Sequence, residues 1–294
     1  MLWFKIIRPQ TLFASFCPVV TALLVVSQKV SIDWFVAVMT IACALALQIL
    51  SNLINDYYDY KRGTDKKGRV GYKRALAEGL VSEKQMARAC VLTLAISLLL
   101  GIYLVWIGGW PILVIGVFAI IFAWLYTATN HSLSYLGIAD IFVFLFYGII
   151  AGWGTGYLQI ASADSFGVVP VMSIPLLTAT AVNGLISMCV LIINNLRDID
   201  SDRLAGKHTF PVRFGKRAGE AGMFIVVGMM PLFAWMAFHC WLPMLILLPA
   251  LGLFVAVIRA SGTLYNYCLL CAGLVNVCYV LLVLLWDALY MPSV

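Results

Sequence analysis

Long apolar stretches separated by short polar connections run along the entire chain. Each is close to the roughly 20 residues that an α-helix needs to cross the hydrocarbon core of a membrane. The stretches lack the alternation of apolar and polar residues that is typical of transmembrane β-strands, so we expect helices. The pattern predicts an all-α polytopic membrane protein that forms one transmembrane domain over residues 1–294. Its nine predicted spans cover residues 11–28, 34–54, 86–106, 110–127, 137–160, 170–194, 219–238, 241–259 and 266–286.

The composition excludes a soluble protein. Of the 294 residues, 63% are hydrophobic and only 11% are charged, whereas a soluble domain ordinarily carries about 25% charged residues. The lipid bilayer is therefore the expected surrounding. The formal net charge of +6 fits loops that lie against anionic lipid or bind an anionic ligand, and we expect no nucleic-acid partner.

The basic residues predict the orientation of the chain. Of the 19 Lys and Arg residues, only Lys29 falls in a connection on the side opposite the N-terminus. The positive-inside rule therefore places the N-terminus and the two long connections in the cytoplasm. We expect a protein of the bacterial cytoplasmic (inner) membrane whose active site faces the cytoplasm.

Two short segments hold six of the 13 acidic residues. The first motif is residues 55–65, NDYYDYKRGTD, and it follows the second predicted span. The second motif is residues 195–203, NLRDIDSDR, and it follows Asn194 at the end of the sixth span. Each leads into a long basic connection. The matching positions predict two similar halves, spans 1–4 and 5–8, with span 9 as an addition.

Helical spacing brings the polar residues of each motif onto one face. If the second span continues as a helix beyond the membrane surface, these residues share a face: Asn52, Asn55, Asp56 and Asp59. In the second motif Asn194, Asp198 and Asp202 form a similar stripe, and Asp200 points elsewhere.

Clustered carboxylates at the mouth of a helical bundle repel one another unless a cation lies between them. Carboxylate and amide oxygens suit Mg²⁺, which binds to one or two carboxylates together with waters and phosphate oxygens. Two facing stripes would hold Mg²⁺ that bridges a diphosphate, and Lys and Arg nearby would neutralise the remaining charge. The alternative, solvated loops whose acids only pair with neighbouring bases, is disfavoured because two copies occupy matching places.

Several segments resemble the UbiA superfamily of intramembrane aromatic prenyltransferases, and within it the branch that acts on 1,4-dihydroxy-2-naphthoate. The second motif is the most specific of them. The matching segments are residues 8–11 (RPQT) with Pro18, 55–65 (NDYYDYKRGTD), 137–148 (GIADIFVFLFYG) and 194–215 (NNLRDIDSDRLAGKHTFPVRFG). The resemblance implies a UbiA-type bundle of nine helices that uses Mg²⁺. It also implies transfer of a polyprenyl group from polyprenyl diphosphate to dihydroxynaphthoate, with loss of CO₂ and diphosphate, giving demethylmenaquinone.

The resemblance also implies roles for individual residues. The catalytic, metal-linked carboxylates would be Asp56, Asp59, Asp198 and Asp202, with Asn55 and Asn195 as supporting metal ligands. The diphosphate would be bound by Asp65, Arg69, Lys73, Arg74, Arg197 and Lys207. Tyr72 stands where the family usually has a proline before the basic pair at 73–74.

The expected acceptor site rests on three residues. Asp140 lies inside the fifth predicted span, and an isolated acid in a membrane span is a functional candidate by default. Tyr57, Tyr126 and Phe146 could stabilise an allylic cation through their ring faces, although packing is the more common role of aromatic residues in such spans.

Two alternatives stay open from the sequence. A UbiA-type enzyme could act on another aromatic acceptor, such as 4-hydroxybenzoate or homogentisate. A cation-coupled membrane transporter is the alternative from another class; it would carry charged residues deep in its spans, whereas the acids here cluster at one mouth.

Overall fold

The computed structural model describes residues 2–63, 75–125, 138–164 and 173–290, and all regular secondary structure in these ranges is helical. In chain order the helices are α1 (Leu2–Ile6), α2 (Pro9–Val26), α3 (Trp34–Lys61), α4 (Glu83–Gly108), α5 (Trp110–Leu125), α6 (Ala139–Phe144), a π-helical segment (Leu145–Ile150), α7 (Ala151–Ser162), α8 (Ile174–Arg197), α9 (Ile199–Leu204), α10 (Phe210–Phe214), α11 (Lys216–Phe238), α12 (Trp241–Met244), α13 (Leu247–Arg259) and α14 (Leu264–Tyr290).

Eight helical stretches in the described part of the chain are long and apolar enough to cross a membrane. The fifth of them, Ala139–Ser162, combines α6, the π-helical segment and α7. A further apolar helix, α5, has only 16 residues before the described range ends. The protein is thus a multi-pass, all-α membrane protein, and its ninth span stays a prediction.

Helix α8 forms the centre of the bundle. It packs against α2, α11, α14 and the π-helical segment, and most of its residues are buried. Helices α4 and α5, in contrast, expose many large apolar side chains, among them Leu99 and Trp106. Apolar side chains on the outside of a membrane protein face lipid, so these two helices belong to the periphery of the bundle.

Helices α3 and α4 begin where capping residues satisfy their first N–H groups. The carboxylate of Asp33 accepts from the backbone N–H groups of Phe35 and Val36 at 3.0 and 3.1 Å, and Ser82 forms a capping box with Gln85 at the start of α4. Such caps satisfy donors that have no partner within the helix.

A π-helical turn interrupts the fifth span at Leu145–Ile150. Here Gly148 lies so close to α8 that a Cβ atom at this position would be 3.0 Å from the Cα of Gly184. A π turn adds one residue to a helical turn and redirects the neighbouring side chains. In this protein Phe146 and Tyr147 lie on that turn and face an internal cavity.

Candidate active site

A cavity of about 530 Å³ lies within the bundle, and both motifs border it. Its polar part contains Asn55 and Asp59 from the first motif, with Asn195, Asp198 and Asp202 from the second. The rest is largely apolar and is lined by α4, α5 and the π-helical segment. The fold thus brings together two carboxylate segments that are more than 100 residues apart in the chain.

The first motif stays helical to Lys61, well beyond the predicted end of the second span at residue 54. Asp56 and Asp59 are both buried, at 3% and 1% exposure. Asp59 lines the cavity, whereas Asp56 forms an ion pair with Arg8 from the segment before α2. The extension of α3 therefore carries Asp59 to the cavity and Asp56 to Arg8.

The second motif is not one continuous helix, contrary to the expectation. Helix α8 ends at Arg197, and α9 begins at Ile199 after Asp198 takes non-helical dihedral angles. The stripe survives because the i to i−4 backbone hydrogen bonds continue: Asp198 N–H donates to the carbonyl of Asn194 at 3.0 Å, and Asp202 N–H donates to that of Asp198 at 2.8 Å. All three residues line the cavity.

Asp200 points away from the cavity, as the spacing predicted. Its side chain is 96% exposed, and it lies 3.8 Å from Arg203 in a surface ion pair. Asp202, two residues later, is only 5% exposed. Two acids of one short helix therefore have opposite environments.

Basic side chains hold the carboxylates of the second motif. The guanidinium of Arg197 donates two hydrogen bonds to Asp198, at 3.0 and 2.8 Å, and a third to Asn266 at 2.9 Å. Lys207 Nζ lies 3.5 Å from Asp202 Oδ1. Both bases line the cavity, which is consistent with their predicted contact with diphosphate.

Several expected site residues lie elsewhere or outside the described ranges. Tyr57 and Asp140 are not among the described residues that line the cavity; the Tyr57 hydroxyl donates to Glu83 at 3.3 Å. The remaining ones, which fall in ranges that the structure does not describe, are Asp65, Arg69, Lys73, Arg74 and Tyr126. The predicted acceptor contacts of Asp140, Tyr57 and Tyr126 thus stay predictions.

The cavity contains polar residues that sequence reasoning did not assign to the site. Ser15, Gln48 and Tyr147 line its wall below the mouth, and Thr209 lines it beside Lys207. A Gln in the middle of an apolar span was an available signal, because polar side chains are costly in a membrane and tend to be functional.

Thr209 has an unusual environment for a residue that precedes a helix. It is the N-cap of α10, but its hydroxyl makes no capping hydrogen bond. Its Oγ1 atom is buried and has no hydrogen-bond partner among the described residues. Since buried hydroxyls are normally satisfied, this one is available to a ligand in the cavity.

The model of the UbiA prenyltransferase family matches residues 15–266. The 1,4-dihydroxy-2-naphthoate octaprenyltransferase of Escherichia coli (strain K12) is 36% identical over 220 residues, which cover 73% of this chain and 68% of that protein. The protein of the same name from Mycobacterium tuberculosis (strain ATCC 25618 / H37Rv) is 34% identical over 213 residues, covering 72% and 70%.

Solved structures share the fold. A UbiA homolog from Archaeoglobus fulgidus bound to DMAPP and Mg²⁺ matches with a TM-score of 0.62 at 16% identity, covering 98% of this chain and 100% of that one. The apo structure of a UbiA homolog from Aeropyrum pernix K1 matches with a TM-score of 0.65 at 15% identity, covering 96% and 98%. At this identity the similarity shows a common architecture.

Proposed function

Because the chain belongs to the UbiA prenyltransferase family, we propose that it transfers a polyprenyl group from polyprenyl diphosphate to 1,4-dihydroxy-2-naphthoate, giving demethylmenaquinol, the hydroquinone form of demethylmenaquinone. The observation that carries this proposal is a cavity that both acidic motifs line at one end and whose remainder is largely apolar. Relatives named as octaprenyltransferases of that acceptor support the choice of substrates.

The residues at the mouth fit a magnesium diphosphate. Within the described ranges no three His, Cys, Asp or Glu side chains are grouped closely enough to bind a metal without further ligands. A Mg²⁺ ion bound here would therefore take one or two of the carboxylates as ligands, together with waters and phosphate oxygens. Asp59 from the first motif and Asp198 and Asp202 from the second would share the metal ions that accompany the diphosphate, with Asp56, Asn55 and Asn195 in support, and the buried Thr209 hydroxyl faces the same cavity. When bound, Mg²⁺ would stabilise negative charge on the leaving diphosphate.

Basic residues of the chain would bind the oxygens that the metal does not reach. Arg197 has three N–H groups engaged with Asp198 and Asn266, which leaves two of its five donors for a phosphate. Lys207 and Arg8 also line the cavity. Their positive charges would balance the diphosphate as the carbon–oxygen bond breaks.

The apolar part of the cavity suits the prenyl chain. Ile102 and Val117, from the two peripheral helices, line it and are also 66% and 47% exposed. This exposure places an edge of the cavity on the lipid side, where a long prenyl group could enter. The apolar walls would also keep water away from an allylic cation.

The proposed reaction is balanced without a further reactant. The allylic C–O bond breaks and its electron pair leaves with the diphosphate. A new C–C bond forms at the ring carbon that carries the carboxylate, and CO₂ departs, returning the electrons of its bond to the ring. We place the site on the cytoplasmic side of a bacterial cytoplasmic membrane, on the basis of the Lys and Arg distribution.

Purified protein supplied with Mg²⁺ and a polyprenyl diphosphate tests this function directly. The acceptors are dihydroxynaphthoate, 4-hydroxybenzoate and homogentisate, and products are identified by mass. Of the three acceptors, we expect only dihydroxynaphthoate to give a prenylated product and CO₂. Addition of EDTA should abolish turnover. Product from another acceptor, with none from dihydroxynaphthoate, would contradict the assignment of the acceptor.

A further inference from the structure

Three polar side chains from different parts of the chain meet in the cavity wall. Gln48 of α3 accepts hydrogen bonds at Oε1 from Ser15 of α2, at 3.1 Å, and from Tyr147 of the π-helical segment, at 2.5 Å. Ser15 and Gln48 are almost fully buried, and Tyr147 is partly exposed. We call these three residues the hydroxyl cluster. It forms where the π turn aims Tyr147 at α3.

A backbone carbonyl fixes the direction of every hydrogen bond in this network. The carbonyl of Ile7 can only accept, so the amide of Asn52 must present Nδ2 to it, at 3.0 Å. Asn52 therefore turns Oδ1 toward Gln48, whose Nε2 donates to it at 3.5 Å. Gln48 must then present its carbonyl oxygen to Ser15 and Tyr147.

This direction decides what the hydroxyl cluster can bind. Ser15 and Tyr147 each have a single hydroxyl hydrogen, and both hydrogens are engaged by Gln48. Each hydroxyl oxygen still has lone pairs. The cluster thus offers hydrogen-bond acceptors to the cavity, and it fits a ligand that carries a donor. A carboxylate or diphosphate oxygen in the same place would meet no donor from these hydroxyls.

The hydroxyl cluster lies at a suitable depth for an aromatic acceptor. Gln48 precedes Asn55 by seven residues, which is two helical turns, or roughly 10 Å along α3, and both line the cavity. A two-ring phenol whose carboxyl end lies near the mouth would extend toward Gln48. In dihydroxynaphthoate the hydroxyl beside the carboxylate can bond to it internally, so the free donor is the hydroxyl at position 4.

Resting on the proposed function, we infer that the hydroxyl cluster binds this 4-hydroxyl group and so selects a 1,4-dihydroxylated acceptor. Gln48 is a positioning residue, because it orients the two hydroxyls. Ser15 and Tyr147 accept the hydrogen bond. The contact would hold the ring with its carboxyl-bearing carbon toward the diphosphate end of the cavity.

The test compares dihydroxynaphthoate with 1-hydroxy-2-naphthoate, which lacks the 4-hydroxyl group, as substrate and as competitive inhibitor. In Tyr147→Phe we expect the KM for dihydroxynaphthoate to rise roughly tenfold, the loss that one hydrogen bond produces. The inhibition constant of 1-hydroxy-2-naphthoate and the KM for prenyl diphosphate should stay within about twofold, since neither ligand uses the contact. Ser15→Ala should show the same selective effect.

Tyr279→Phe is the matched control. Tyr279 is a buried tyrosine that donates one hydrogen bond to the carbonyl of Ala179, at 3.0 Å, and it is not among the residues lining the cavity. It should leave the ratio of the two constants unchanged. Equal weakening of both naphthoates by Tyr147→Phe and Ser15→Ala would show a merely structural role and overturn the inference. Wild-type protein that prenylates no naphthoate would instead refute the proposed function itself.

Discussion

Three buried carboxylates of the two motifs are each held by a basic neighbour. The pairs are Arg8 with Asp56, Arg197 with Asp198, and Lys207 with Asp202. Burial of several like charges would be costly without such partners. Each pair offsets the charge of one buried carboxylate, and the arrival of a diphosphate together with a divalent cation would change the charge of the site only slightly.

The sequence was sufficient to find the acids of these pairs but not all of the bases. The shared face of Asp198 and Asp202 could be predicted from the sequence, because residues four positions apart lie on one face of a helix whatever the rest of the fold. Arg8 reaches Asp56 across 48 residues, from a position with a left-handed backbone φ of 53°. That approach depends on how the segment before α2 packs against α3, which spacing does not reveal.

Asp59→Asn and Asp202→Asn should each lower turnover by roughly 100-fold, because they remove a charge while keeping side-chain size. Asp200→Asn is the control from the same short helix. Since Asp200 is 96% exposed, its replacement should change turnover by no more than about twofold. Product formation at several Mg²⁺ concentrations is the measurement, with the mobility of each variant in size-exclusion chromatography as a check on folding. An Asp200→Asn defect as large as that of Asp202→Asn would point to a general charge effect.

At the scale of elements, the apolar pattern predicted where helices lie better than how they end or bend. Helix α3 runs to Lys61 because its polar motif continues the helical spacing after the apolar span. The break at Asp198 and the π turn at Leu145–Ile150 left no trace in the pattern. Both depend on tertiary contacts, such as the close approach of Gly148 to α8, and both shape the cavity.

Gly116 of α5 lines the apolar part of the cavity, and a Cβ atom there would meet open space. In Gly116→Leu we expect a shorter maximum prenyl chain, because the added side chain occupies volume that the distal isoprene units would fill. Products formed from a series of prenyl diphosphates of increasing length measure the effect. The matched control is Gly228→Leu in α11. A Cβ atom at Gly228 also meets open space, but this residue is not among those that line the cavity. An unchanged length profile in Gly116→Leu would place the prenyl chain elsewhere.

At the scale of the whole molecule, two helices that end in acidic motifs meet at one cavity. The second span ends in the first motif and α8 ends in the second, as expected if the chain consists of two similar halves. The correspondence of spans 1–4 with spans 5–8 stays a prediction. It explains why Lys and Arg gather at the same side as the acids, since both halves would present their long connections to one membrane face.

The number of crossings depends on α5. Its 16 described residues would extend about 24 Å as an α-helix, less than the roughly 30 Å of a hydrocarbon core. The apolar pattern extends to residue 127, which would add part of a turn. If α5 crosses, the chain has nine spans and its ends lie on opposite sides of the membrane; if it does not, eight spans leave both ends on one side.

Reporter fusions distinguish the two topologies. We expect green fluorescent protein at the N-terminus to fluoresce and alkaline phosphatase after Val294 to be active, because nine crossings place the first in the cytoplasm and the second outside. A fluorescent protein fused after Gly262, in the connection between α13 and α14, should also fluoresce, because eight crossings return the chain to the cytoplasm at this point. The contrary result is an inactive phosphatase after Val294 together with a fluorescent protein that does fluoresce when it is fused there. It would show that α5 does not cross the membrane. Every connection after α5 would then lie on the side opposite to the one assigned by the positive-inside rule.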